Sequence, residues 1–236
     1  MGCGPSKPSK SKKGGGGGGG KKSGGGKKAG GGQAGGVLGE SQELQNYDPI
    51  RYENNEAVVR DPHRIVTQVH FVAQTVLESG GNHWGICLQT GPCESIRLNM
   101  DPSNVLGAQA PNHGYRGRLY IRYRDHAITN NQEKIVTIPA NPGHSVAQFI
   151  DVIINEGNHL YDLTTRGRGC TGWILDQFIL FEHYHLIPGG YNLAKVIGQQ
   201  WEDGHATKPD IGVTRGTYMR NTTYGGWAGR GALRRR

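Results

Sequence analysis

TTRGRGCTGWILDQFILF, residues 164–181, decides the fold, because it sets one cysteine, Cys170, between a glycine-arginine turn and a long apolar run. Seven of the nine residues from Trp173 to Phe181 are large and apolar. A helix that is apolar nearly all round has no face to give to water, so it must be central, with several neighbours packed on it. Its first turn carries backbone N–H groups without intrahelical acceptors and a partial positive charge. A thiol at such a point ionises more easily than its ordinary pKa of about 8.5 allows. Arg166 and Arg168 add positive charge, and Gly167 and Gly169 let a substrate approach the main chain. Gly169 and Arg168 are therefore the candidate oxyanion and substrate turn. The competing reading is a small buried hydrophobe, since free cysteines are among the most buried residues.

The segments before this helix read as strands. RIVTQVHFVAQT (64–75) is β-rich and alternating, GNHWGICLQT and ESIRLNM form a hairpin around Gly91-Pro92, and RLYIRYRDHAI and KIVTIPA give two more strands. At 144–157 the period changes: Val146, Phe149, Ile150, Ile153 and Ile154 share one helical stripe, with Gly157 as C-cap. HLYDLTT returns to a strand, and GYNLAKVIGQQWEDG reads as a last helix. Strands first and helices later predict an α+β domain, an antiparallel sheet of about five to six strands packed on the buried helix with two further helices.

Charge separates the ends from the middle. The chain of 236 residues has 27 basic and 19 acidic residues, but residues 1–36 hold eight lysines and no acid, and residues 208–236 hold seven basic residues against Asp210. What remains between Val37 and Thr207 is 12 basic against 18 acidic residues, so the formal +8 belongs to the tails. We expect a Gly/Lys-rich tether at 1–46, an α+β domain at 47–205 and a basic tail at 206–236. Four cysteines without a signal-peptide core imply a reducing compartment. MGCGPS places Gly2 and Ser6 as an N-myristoyl signal needs, with Cys3 beside it for palmitoylation. One acyl chain anchors weakly, so a second chain or the lysines must contribute. The expected partner is an anionic membrane surface at the cytoplasmic side, the plasma membrane in particular. Nucleic-acid binding through the basic tails is the weaker alternative.

A nucleophilic thiol needs a base, and NHWGICL supplies one. In a strand, His83, Gly85 and Cys87 face one way while Trp84, Ile86 and Leu88 face the other. Cys87 is a poor nucleophile for His83, about 13 Å away along the same strand. His183 and His185, two apart on a helix, diverge and do not suggest zinc, and no metal or cofactor is implied. Arg116, Arg118, Arg122 and Arg124 share a strand face with Tyr120, read as a solvated face in preference to a base-stacking one.

His83-Trp84 on a strand followed by Gly169-Cys170 at a buried helix start resembles the circularly permuted papain-like thiol enzymes, which include lipid acyltransferases and deubiquitinating or desumoylating peptidases. The resemblance implies a papain-like architecture and a third polar residue on the next strand, where Arg97 and Asn99 are the nearest positions. Arginine cannot accept a bond from imidazole, whereas the Asn99 amide oxygen can. The candidate catalytic set is thus Cys170, His83 and Asn99. Over about 64–201, NHWGICL, IRLNM, INEG, YDLTTRGRGCTGW and Trp201 are also similar to a fungal domain family of uncharacterised function. Three functions stay open on the sequence: a membrane-tethered Cys/His thiol hydrolase or acyltransferase, a non-catalytic interaction module at the membrane surface, and nucleic-acid binding through the basic tails.

Overall fold

The structure is a computed structural model that describes residues 47–219 except 79, 104–113 and 129–131. Gly2, Cys3, the rest of the 1–46 tether and the tail beyond 219 lie outside the described residues. Period-two alternation builds the sheet. β1 (Ile50–Glu53), β2 (Gln68–Val76), β3 (Asn82–Gly91), β4 (Glu94–Pro102), β5 (Tyr115–Arg124) and β6 (Lys134–Pro139) precede the two longer helices, with a single turn, α1 (Glu56–Val59), after β1. Together with β7 (Tyr161–Leu163) and β10 (Thr217–Tyr218) they form an eight-stranded sheet. Its order is β10-β7-β5-β4-β3-β2-β6, and β1 joins β5 in parallel. All its other pairings are antiparallel, so the α+β expectation stands, with more strands than the five to six read from the sequence.

One face of the sheet is apolar: Val69, Phe71, Trp84, Ile86, Leu88, Ile96, Leu98, Leu119 and Ile121 are all buried. Each such side chain contributes roughly 1.5–3 kcal/mol on burial, which is why these strands keep their register against slippage by one residue. α3 (Cys170–His183) packs on this face, and α2 (Val146–Asn155) packs against α3. α2 starts with a reciprocal capping box between Ser145 and Gln148 and buries Val146, Phe149, Ile150 and Ile153. α3 is wedged between sheet and α2: Phe178 meets Phe71 edge-on at 5.8 Å between ring centroids, and Phe181 meets Phe149 at 4.9 Å. Its one fully buried polar side chain, Gln177, accepts from Asn158 Nδ2 at 3.1 Å and donates to the Trp173 carbonyl at 3.0 Å. The apolar centre therefore leaves that amide satisfied.

The C-terminal part differs from the sequence expectation. GYNLAKVIGQQWEDG is not one helix: α4 (Leu193–Ile197) stops at Gly198, and β8 (Gln200–Glu202) pairs with β9 (His205–Lys208). Asn82 draws Trp201 out of any helix, accepting its N–H at 2.7 Å and donating to its carbonyl at 2.8 Å. The domain also runs past 205. β10 adds to β7, and Thr214–Tyr218 crosses the first turn of α3, where the Thr214 carbonyl accepts from Gly172 N–H at 3.0 Å and Thr171 Oγ1 at 2.9 Å. Arg215 and Tyr218 both bind the Asp176 carboxylate, at 2.6 and 2.9 Å. Among the described residues no helix is long and apolar enough to cross a membrane.

Candidate active site

Cys170 is the first residue of α3 and is 7% exposed. The turn before it is locked by its own backbone: Thr164 N–H donates to the Arg168 carbonyl at 2.7 Å, and Arg168 N–H to Thr164 Oγ1 at 3.1 Å. Gly169 takes φ 134°, a conformation open to glycine, which turns the chain into the helix. Its carbonyl accepts from the buried Tyr161 hydroxyl at 3.0 Å, and that oxygen in turn accepts from Gly216 N–H at 2.5 Å. Backbone donors expected for an oxyanion are thus partly committed, Arg168 N–H to Thr164 and Gly172 N–H to Thr214.

His83 comes to this thiol through two irregularities in β3. Between the pairs Ala73↔Trp84 and Val76↔Asn82 the register with β2 shifts, so the bulge lies opposite His83. Bulges bend a strand and re-aim its side chains. On the other side, β3 pairs with β4 only from Gly91↔Glu94 to Ile86↔Leu98, whereas β4 stays paired to β5 as far as Pro102↔Gly117. Strands β3 and β4 part at the end where His83 sits. There the His83 imidazole and the Trp84 backbone N–H both converge on the Cys170 sulfur.

The electrostatics of the pair are reciprocal. Burial pushes the Cys170 thiol up, but hydrogen bonding to His83, the charge on that ring and the Trp84 N–H outweigh it and hold the thiol below its ordinary value. Burial pulls the His83 imidazole down, yet Cys170 and then Asp101 outweigh it and raise the ring above its ordinary value, against opposition from Arg97. Opposite shifts of this kind favour proton transfer from the thiol to the imidazole. Cys87 is the internal contrast: buried on the same strand, with Arg97 and Arg124 only partly compensating, its thiol is pushed up to about 11. It is also a free cysteine, so it forms no disulfide across the β3–β4 turn.

The third member of the cluster is Asp101. Its Oδ1 stands 3.2 Å from His83 Nε2. Asn99, the residue expected to orient the ring, sits opposite Gly85 instead, and its Oδ1 accepts from Arg97 Nε at 3.1 Å. A Cβ at position 85 would press on the end of that amide, so a larger residue there requires the Asn99 side chain to move. The signal that leads to Asp101 is the register. From the turn, Gly91↔Glu94 would set Pro102 against His83; the irregularity between Gln89 and Gly91 shifts the pairing by one and brings Asp101 into line.

Two clefts share Pro102 in their walls, and the first reaches the cluster at Asp101. The first, of about 400 Å³, runs along the polar face of the sheet and is lined by Asp101, Asn99, Arg97, Arg122, Tyr120 and Glu53 as well as Pro102. The other, of about 540 Å³, is walled by the Arg166–Arg168 turn, Tyr115 and Leu77. The β5 arginines do not form the solvated face expected. Arg116 is buried and ion-paired with Asp162 at 3.3 Å, Arg118 Nε donates to the Asp48 carbonyl at 2.7 Å, and Arg122 pairs with Glu53. Among the described residues, no group of three His, Cys, Asp or Glu side chains is arranged to hold a metal.

The fold and the cluster define an α+β domain carrying a Cys-His-Asp constellation at a helix start. A family model described as a domain of unknown function (DUF7770) matches residues 69–219, and the chain belongs to that family. The match starts in β2 and ends just after β10, so it spans all three members of the cluster and the segment that crosses α3. Neither the curated proteins nor the solved structures gave a match.

Proposed function

We propose that this protein is a thiol hydrolase or acyltransferase in which Cys170 is the nucleophile, His83 the general base and acid, and Asp101 the residue that positions the imidazole. The observation that carries the reading is the convergence of three titratable side chains from three elements, α3, β3 and β4, with the thiol lowered and the imidazole raised. The thiolate attacks an acyl carbon, and the leaving group takes the His83 proton as the thioester forms. Water or an acceptor nucleophile then gives a proton to His83 and attacks the thioester, which regenerates the thiol pair. The order of the three residues and the helix-start cysteine resemble permuted papain-like enzymes, and this likeness of arrangement supports the same chemistry.

The second part of the proposal is a tether. Gly2 and Cys3 take acyl chains, and the adjoining lysines hold the domain to the anionic cytoplasmic face of the plasma membrane. A fluorescent fusion that moves off membranes on Gly2→Ala supports it; a fusion indifferent to that change removes it.

A non-catalytic module is favoured by one observation, the low exposure of Cys170. Labelling of the full chain with an acyl-type thiol probe separates the two. We expect labelling of the wild type and of Cys87→Ser, none of Cys170→Ser and a large loss in His83→Ala. Equal labelling of wild type and Cys170→Ser leaves only the binding role.

A further inference from the structure

The polar cleft bears on which acyl group such a site accepts. Along β4, Arg97, Asn99 and Asp101 alternate onto one face, so the cleft runs from the proposed catalytic cluster toward Arg97 over about 13 Å, four residues of strand. Arg97 and Arg122 are directly opposite across the β4–β5 ladder. Like charges facing each other across a sheet are unfavourable, and a third guanidinium, Arg124, follows on the same face with its Nε buried and without a hydrogen-bond partner among the described residues. Glu53 offsets Arg122 and Asp101 stands against His83, which leaves Arg97, bonded through Nε to Asn99, and Arg124 without a carboxylate partner among the described residues. The walls are also wrong for a hydrocarbon chain. Pro102 and the Tyr120 ring are the apolar surfaces there, and the remaining lining groups are charged or amide.

We propose that the Arg97–Arg122 cleft binds an acidic peptide segment, with the Arg97 guanidinium gripping a carboxylate about four extended residues from the reacting acyl carbon and Arg122, held by Glu53, adding positive charge beside it. The inference rests on the thiol reading above and narrows it, making the substrate an acidic protein and excluding a fatty acyl chain from this cleft. The two Nη groups of Arg97 form a fork that gives a carboxylate charge-assisted bonds with a fixed geometry, and Asn99 and Tyr120 offer polar contacts to the intervening peptide backbone.

The test is fluorescence anisotropy of the full chain with a fluorescein-labelled hexapeptide carrying two Glu residues, compared with its Gln isostere. We expect the Glu peptide to bind at least tenfold more tightly, with this preference falling at least fivefold in Arg97→Gln/Arg122→Gln and at least twofold in the fold-conserving Arg97→Lys. Attraction to the basic tails is common to all variants and cancels in that comparison. Cys170→Ser is expected to bind like the wild type. A Glu preference that survives all the arginine substitutions overturns the inference, as does a wild type that binds Glu and Gln peptides alike. It is overturned too if the arginine substitutions instead weaken binding to phosphatidylserine vesicles at unchanged peptide affinity, which assigns the cleft to a lipid headgroup. None of these results touches the thiol reading, which fails separately if probe labelling does not depend on Cys170.

Discussion

Replacing Asp101 by Asn removes one negative charge 3.2 Å from His83 Nε2 while keeping the side-chain shape. Two unit charges at that separation attract by about 1.3 kcal/mol even when fully screened by water, close to one pKa unit. The Asp101 side chain is 35% exposed, so this lower figure is the appropriate one. Asp101 supports the imidazolium and opposes the thiolate, so the two limbs of the ion pair respond in opposite senses. The His83 pKa should fall by about one unit in Asp101→Asn, and the Cys170 pKa should fall slightly. The ion pair then survives over a narrower range, cut from the alkaline side. Ring-proton NMR titration measures this directly, with His83→Ala assigning the resonance among the ten histidines. A His83 pKa that stays the same or rises in Asp101→Asn refutes the assignment of Asp101 as the positioning carboxylate.

The same shifts fix the sign of the pH dependence. A reactive pair of thiolate and imidazolium requires pH above the lowered Cys170 pKa and below the raised His83 pKa, so kcat/KM or probe labelling by a leaving-group-dependent reagent should be bell-shaped; a profile that climbs steadily to the alkaline plateau of a free thiol is inconsistent with it. Asn82→Ala should destabilise the domain by about 3 kcal/mol or more, read by urea unfolding, because it strands the Gln74 and Trp201 backbone groups that Asn82 bonds within 2.8 Å. Gly172→Ala should cost about 1–3 kcal/mol by the same method, since its Cβ would lie 2.8–2.9 Å from Arg215 and the Thr214 carbonyl. Alkylation with iodoacetamide at pH 7, followed by peptide mapping, should modify Cys170 and leave Cys87, held near 11, unmodified.

The α2 stripe, the all-round apolar α3 and the alternation of β2 to β5 are legible because periodicity reports burial directly, as Phe149 and Phe181 show by meeting where both patterns point. Cys170 and His83 are legible for a related reason, each lying where an element begins. Asp101 is hidden by one extra residue at Gln89–Gly91, a shift that no residue-type signal in LQTGPCES marks. The fate of 198–218 is hidden for another reason. Its structure comes from non-local bonds such as Asn82 to Trp201, 119 positions apart, which override helix propensity in NLAKVIGQQWE.

The segment that crosses α3 has a consequence for the timing of synthesis. Thr214 binds Thr171 and Gly172 at the foot of the thiol helix and Gly216 binds the Tyr161 hydroxyl that holds the Gly169 carbonyl, so the last piece of this frame leaves the ribosome after His83, Asp101 and Cys170. A chain arrested before residue 214 contains every reactive group but not the bonds that seat the helix start. Newly made protein thus seats this helix start only once residues 214–218 have left the ribosome, and a protease that nicks 214–218 would release the helix start without removing Cys170, His83 or Asp101.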